Sequence, residues 1–209
     1  MNVIDHYKWR YATKKFDTKK KISDLNIELI KESISLAPTS YGLQLFKVII
    51  VKKKEIKDDL KKASFNQSQI SDASHIFVFC NSTKIEANDI DTYIKNKAAI
   101  QNKTISEISG YGDFLKDTLL KKEHNKISTW TANQDYIALS HLMTFCPSLG
   151  IDSCPIEGFE ANKYNEILKL NNRNLNSTVV AAVGYRSNKD SSQYEKKIRK
   201  SNDELFETL

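Results

Sequence analysis

Hydrophobic positions recur along the chain with helical spacing in some segments and form short apolar runs in others. Residues 23–37 have the helical spacing, and Ser23 and Pro38 suit the start and the end of that helix. Its predicted apolar stripe is Leu25, Leu29, Ile30, Ile34 and Ala37. A shorter helix is predicted for residues 55–62, where charges interleave with apolar positions.

Three apolar runs predict the strands of a core sheet. They are residues 46–51, residues 76–80 and residues 177–183, and Gly184 closes the third run. Few strands spread among many helices indicate an α+β or α/β layered domain. The sequence contains no repeat, low-complexity linker or internal boundary, so we expect a single domain.

The remaining segments are a long helical region and a charged tail. Residues 86–122 have a weakly amphipathic helical pattern that is interrupted near Gly110 and Gly112. Residues 130–149 are so densely apolar that we expect a central helix buried on most sides, with Gly150 as its C-cap. Residues 185–209 are basic and then acidic, so this tail is expected either to fray or to wrap over another surface.

Composition narrows the class of protein. With 209 residues, 40% of them hydrophobic, the chain can enclose one substantial core. No apolar run reaches the roughly 18 to 20 residues of a membrane span, and the N-terminus does not resemble a secretory signal. We therefore expect a soluble protein that stays in the cytoplasm.

The net charge of +6 is compatible with nucleic acid, a membrane surface or an anionic small ligand. Many lysines interleave with carboxylates, and no nucleic-acid-binding motif is present, which makes a dedicated nucleic-acid surface the weakest of these interpretations. Cys80, Cys146 and Cys154 form no CxxC pair, and the four histidines lack ligand spacing. Neither a disulfide framework nor a metal site is expected.

Four short segments carry candidate chemistry. Residues 10–16 (RYATKKF) concentrate cations, and a guanidinium with a lysine suits a phosphate and an anionic ring. Residues 37–44 (APTSYGLQ) offer hydroxyl and amide groups in a turn, and residues 65–70 (FNQSQI) offer amides beside an aromatic side chain. Residues 154–159 (CPIEGF) contain Pro and Gly, which restrict the backbone course. Each segment alone is also compatible with an ordinary surface turn.

Motifs for side-chain catalysis are missing. The sequence contains no GxSxG elbow, no HExxH helix and no Walker loop. Any catalysis is therefore expected to come from a bound cofactor.

Taken together and in this order, the four segments and the start of the helix at residues 130–136 resemble the nitroreductase family. The resemblance is to the oxygen-insensitive NAD(P)H nitroreductase and dihydropteridine reductase branch, and it extends from Arg10 to Arg199. It implies an α+β fold with a central antiparallel or mixed sheet wrapped by helices. It also implies an intertwined homodimer with two FMN sites across the interface and residues 185–209 wrapping over the domain or its partner.

The same resemblance implies roles for individual residues. Arg10, Lys197 and Arg199 would hold the FMN phosphate, Lys14 would lie near the N1 and O2 edge of the flavin, and the Glu157 N–H would bond flavin N5. The full cofactor set implied is Arg10, Tyr11, Ala12, Lys14, Pro38, Thr39, Ser40, Gly42, Asn66, Gln69, Pro155, Ile156, Glu157, Gly158, Lys197 and Arg199, with the Pro38 to Ser40 segment supplied by the partner subunit. The acceptor would contact Tyr41, Phe65 and Phe114.

The implied reaction follows ping-pong kinetics. NAD(P)H reduces the flavin by hydride transfer to N5, and the reduced flavin then transfers two electrons to a nitroaromatic, a quinone or a related acceptor. Three positions depart from the family pattern: Gln69 replaces a lysine of some members, Ala12 replaces a serine, and Gly42 replaces an asparagine. The loss of the lysine charge predicts a lower reduction potential. The alternatives are a dihydropteridine or enone reductase on the same scaffold, or an FMN-binding protein without turnover. Neither the physiological acceptor nor the choice between NADH and NADPH follows from the sequence.

Overall fold

A four-stranded antiparallel sheet forms the centre of the structure, a computed structural model that describes residues 2–209 apart from the side chain of His124. The strands are β1 (Phe46–Val51), β2 (His75–Ser82), β3 (Asp152–Ile156) and β4 (Leu175–Gly184), in the order β1-β2-β4-β3. The α+β class is confirmed, and the three strands predicted from apolar runs are all present. The described strands pair only in the antiparallel sense.

β3 is the strand that sequence reasoning missed, because residues 154–159 were interpreted as a restricted turn. Its residues pair with β4, and Pro155 lies opposite Ala181. β3 is an edge strand, the position in a sheet where a proline, which lacks an N–H, is tolerated.

Helices pack around the sheet. Their bounds are α1 (Val3–Trp9), α2 (Asp24–Ser35), α3 (Lys54–Lys62), α4 (Ser68–Asp72), α5 (Ala87–Ile100), α6 (Ile105–Leu119), α7 (His124–Phe145), α8 (Ala161–Ile167) and α9 (Asn202–Leu205). Short 3₁₀ turns are formed by Ser40–Gly42, Cys146–Leu149 and Ser191–Tyr194. Among the described residues, no helix combines the length and the apolar character that crossing a bilayer requires.

The strand pleat divides the core into two layers. Phe77 and Phe79 of β2 point to the face covered by α2 and α7, whereas Ile76, Val78 and Cys80 point to the face covered by α3, α4 and α8. A third cluster lies away from the sheet, between α5, α6 and the start of α7.

The helix at residues 23–37 is confirmed, and Ser23 caps it by accepting a hydrogen bond from the Asn26 N–H. Its buried stripe differs from the prediction. Ile27 lies in the core, whereas Leu25 is 71% exposed, because the face toward the sheet follows Ile27, Ile30 and Ile34 at intervals of three and four residues.

The helical region 86–122 is interrupted earlier in the chain than the prediction near Gly110 and Gly112. α5 ends at Ile100 and α6 begins after Thr104, so Gly110 and Gly112 lie inside α6. Gly112 is buried where a Cβ would stand 3.1 Å from Cγ1 of Ile94. The glycine therefore permits close packing of α6 on α5 and does not interrupt the helix.

The central helix is longer and less covered than expected. α7 begins at His124, six residues before the predicted start, and its end leads through a 3₁₀ turn to Gly150, whose φ of 65° confirms the predicted cap. One face packs on the sheet and α2, but Tyr136 and Ile137 remain 41% and 38% exposed. Burial on most sides is therefore not reached within one chain.

Candidate functional site

Residues 11–17, near the N-terminus, lie along the start of the C-terminal tail. The Asp17 N–H donates to the Tyr185 carbonyl at 2.8 Å, and the Ser187 N–H donates to the Lys15 carbonyl at 2.9 Å. This pairing carries the basic residues of both chain ends to one place, where Tyr11 and Lys14 are next to residues 190–199.

Asp190 fixes the conformation of the basic segment. Its buried carboxylate accepts from the Lys14 N–H at 2.8 Å, the Lys15 N–H at 3.0 Å and the Tyr11 hydroxyl at 2.9 Å. Burial alone would raise the pKa of Asp190, but these hydrogen bonds outweigh it and lower the pKa. Sequence reasoning missed this residue because nothing distinguishes one aspartate in a polar tail.

Cations from both chain ends line a cavity of about 280 Å³. Its basic side chains are Arg10, Lys14, Lys196, Lys197 and Arg199. In the described part of the chain, none of them forms an ion pair with a carboxylate. The buried Nε of Arg10 has no hydrogen-bond partner, and its Nη2 reaches only the Met143 sulfur at 3.8 Å.

The converging positive charges affect one another. Burial and the charge of Arg199 lower the pKa of Arg10, and burial together with Arg10 and Arg199 lowers the pKa of Lys197. A polyvalent anion would relieve this repulsion and satisfy the free Arg10 Nε. The cavity therefore has the charge and the unsatisfied donor of a phosphate site.

The turn at Glu157 and Gly158 lies beyond the end of β3. Both residues are exposed, and the hydrogen bonds among the described residues include none donated by either N–H. Cys154, near the start of this segment, is close enough to Lys14 for the lysine charge to oppose the rise that burial causes in the Cys154 pKa. Glu157 follows Cys154 by three residues along the chain.

Residues 65–67 border this turn. Gln67 Nε2 donates to the Gly158 carbonyl at 2.7 Å, and the Phe65 ring lies next to Gly158. Phe65 and Asn66 both have left-handed backbone conformations, with φ of 52° and 59°, and Phe65 is 68% exposed. Strained, exposed residues beside free N–H groups are typical of ligand-binding positions.

We give one name, the basic half-site, to the cavity residues and this turn, which the family resemblance assigns to one cofactor. It comprises Arg10, Tyr11, Ala12, Lys14, Asn66, Pro155, Ile156, Glu157, Gly158, Lys197 and Arg199. Ala12 packs against the core cluster below it, and Gln69 lies one turn beyond Asn66 on α4.

A second group forms the aromatic half-site, which comprises Pro38, Thr39, Ser40, Tyr41, Gly42 and Phe114. Its loop is tied to α7, because the Ser40 N–H donates to Gln134 Oε1 at 2.9 Å. The Tyr41 ring centroid lies 6.3 Å from those of Phe114 and Trp130. Buried Gln134 thus holds the loop, a role that sequence reasoning missed within residues 130–136.

The two half-sites make no direct contact with each other in the described part of the chain. Across residues 2–209, no hydrogen bond, ion pair or aromatic contact joins the aromatic half-site to Arg10, Lys14 or Glu157. The hydrogen bonds and ring contacts thus organise parts of the predicted cofactor set, and no direct contact among residues 2–209 links those parts into one site.

Comparison with known proteins gives consistent matches over the chain. Residues 7–185 match the nitroreductase family. A Staphylococcus epidermidis protein provisionally named as an NAD(P)H nitroreductase is 32% identical over 98% of this chain and 95% of its own length. The Bacillus subtilis protein YfkO, provisionally named in the same way, is 34% identical over 88% of each chain.

Solved structures share the fold. A provisionally assigned NAD(P)H:FMN oxidoreductase from S. epidermidis superimposes with a TM-score of 0.90 at 18% identity, over 100% of this chain and 96% of that chain. A provisionally assigned nitroreductase from Exiguobacterium sibiricum, solved in complex with FMN, gives 0.86 at 18% identity over 100% and 98%.

Proposed function

The chain belongs to the nitroreductase family, and on this premise we propose that it is an FMN-dependent NAD(P)H oxidoreductase that works as a homodimer. The observation that carries the proposal is the cavity of cations without carboxylate partners, in a chain that also has free N–H groups at Glu157 and Gly158. A terminal phosphate would pair with the cations of the cavity, and a polar ring edge would accept from the free N–H groups. FMN has both a terminal phosphate and such a ring edge.

The phosphate would take the cavity. Arg10 presents a buried, unpartnered Nε, and Lys197 and Arg199 add charge from the tail. A guanidinium binds phosphate through two parallel N–H groups, which a lysine cannot do. Arg10 is therefore the principal ligand in this proposal, with Lys197 and Arg199 closing the cavity.

The ring would lie along the Glu157 turn. Lys14 is held by Asp190 through its backbone, which leaves its ammonium free to stand near the N1 and O2 edge. The Glu157 N–H would donate to N5, with Asn66 and Gly158 bordering the ring. Fixed positive charge at that edge favours the electron-rich reduced cofactor.

A second chain would complete the site. The aromatic half-site makes no direct contact with the basic one, and Pro38, Thr39 and Ser40 would reach the cofactor of the partner. Apolar side chains left exposed on α1, just after α2 and on α7, among them Val3, Leu36 and Ile137, offer a surface of the kind that permanent dimers bury. The exposed apolar residues of the tail, such as Phe206, would cover the partner.

When bound, FMN accepts a hydride from NAD(P)H and passes two electrons to an acceptor such as a nitroaromatic or quinone. The chain itself would bind the cofactor and orient the substrate against it. Tyr41, Phe65 and Phe114 would provide ring faces on which a planar substrate can stack. No side chain is required as a general acid.

The visible spectrum of the purified protein tests the proposal. We expect flavin bands from FMN and steady-state NAD(P)H oxidation with menadione as acceptor. A colourless protein that FMN cannot reconstitute would refute cofactor binding. A yellow protein whose flavin is reduced slowly and does not turn over would instead indicate an FMN-binding protein without this activity.

A further inference from the structure

Two side chains from separate elements hold the exposed turn at Glu157 and Gly158. The Tyr136 hydroxyl on α7 donates to Glu157 Oε1 at 2.7 Å. Gln67, at the start of α4, donates from Nε2 to the Gly158 carbonyl, also at 2.7 Å. The Phe159 N–H closes the turn by donating to the Glu157 carbonyl at 2.9 Å.

We propose that Tyr136 and Gln67 are positioning residues that fix this turn, so that its two free N–H groups face the cofactor ring. The inference deepens the proposed function and rests on it. A short exposed segment that contains glycine otherwise samples many backbone conformations, and ordering it on cofactor binding would cost conformational entropy. The hydrogen bonds from Tyr136 and Gln67 order the turn before FMN binds, and they thereby reduce the entropy cost of binding.

The Tyr136 tie acts through the Glu157 side chain and not through packing. Burial and the hydrogen bond to Glu157 raise the pKa of Tyr136 to about 12, so the hydroxyl stays a proton donor at physiological pH. The bond holds the carboxylate toward α7 and thereby restrains the backbone that carries the Glu157 N–H. Gln67 restrains the next residue through the Gly158 carbonyl.

Hydrogen exchange measured by mass spectrometry, with and without FMN, tests the restraint directly. Tyr136→Phe removes only the hydroxyl, and Gln67→Met removes the amide donor at similar length. In the protein without FMN, each substitution should raise amide exchange in the peptide covering residues 152–160. Tyr185→Phe is the matched control and should leave that peptide unchanged, because Tyr185 packs against the core shared by α2 and α7.

FMN affinity is the second readout. Tyr136→Phe should raise the Kd of FMN about threefold to tenfold, the range expected for losing one hydrogen bond to a charged acceptor. In a Glu157→Gln background the acceptor oxygen remains, so the effect should persist. In a Glu157→Ala background the backbone N–H remains but the tie is already lost, so Tyr136→Phe should have no further effect.

Failure of this inference and failure of the proposed function can be told apart. Wild-type protein that does not bind FMN refutes the proposed function, while the exchange data still decide whether the two side chains fix the turn. Unchanged exchange in both variants would overturn the inference. An equal effect of Tyr136→Phe on the Kd in the Glu157→Ala background would also overturn it, since the tyrosine would then act through packing alone.

Discussion

A buried carboxylate in α7 gives the chain a specific dependence of stability on pH. Asp135 has no exposed surface, and neither of its oxygens has a hydrogen-bond partner. Thr178 lies nearby, but its hydroxyl donates to Asn81 Oδ1 at 2.9 Å. Burial raises the pKa of Asp135 from 3.8 to about 7, only partly opposed by Thr178.

The size of the expected change in stability follows from the shift in the pKa of Asp135. Because the folded state holds the proton more tightly than the unfolded state, the stability of the fold decreases as pH rises from 3.8 toward 7 and is constant above that range. Each pH unit of displacement corresponds to about 1.4 kcal/mol, so the ionised carboxylate destabilises the fold by about 4 kcal/mol. Asp135→Asn, which cannot ionise, should remove most of this loss.

The assay is urea unfolding of wild type and Asp135→Asn at equal protein concentration from pH 5 to pH 8. The difference in unfolding free energy isolates this group, because both proteins share every other titrating residue. It should favour the variant increasingly up to about pH 7, by roughly 2 to 3 kcal/mol over that interval, and then level off. Exposed Glu166 in α8 supplies the control, and Glu166→Gln should give a flat difference. A flat difference for Asp135→Asn would refute the reasoning.

Three further predictions concern the basic half-site. Arg199→Ala should weaken FMN binding about tenfold or more, as measured by fluorescence titration. The control substitution Lys189→Ala, at an exposed residue, should leave the Kd nearly unchanged. Equal, small effects of the two substitutions would leave Arg10 alone as the phosphate ligand. Asp190→Ala should lower the urea midpoint and weaken FMN binding, because three donors lose their acceptor. Folding lowers the pKa of Asp190, so the stability that this carboxylate contributes should be present above about pH 4 and fade as the pH falls further. Gln69→Lys should raise the midpoint potential of the bound flavin, measured spectroelectrochemically, because it restores a positive charge near the reduced cofactor; an unchanged potential would place residue 69 too far from the ring to act.

Local patterns in the sequence were sufficient for most of the secondary structure. Residues 46–51 coincide with β1, and α2 has the predicted serine cap, because period and capping depend on neighbours a few residues apart. The same local reasoning failed at Gly112, where a glycine reflects contact with Ile94 of another helix, and at β3, whose pairing depends on β4. The resemblance to a family predicted the cofactor segments, but it did not indicate what holds them.

The tertiary structure decided which of those residues meet. Asp190 joins the tail to the basic segment, Gln134 holds the Ser40 loop, and Tyr136 bonds Glu157, all through contacts between positions distant in sequence. Such contacts depend on strand order and helix packing, which hydrophobic periodicity does not encode. The exposed face of α7 likewise emerged only in three dimensions, because burial is a property of the assembled surfaces and not of the apolar content of a segment.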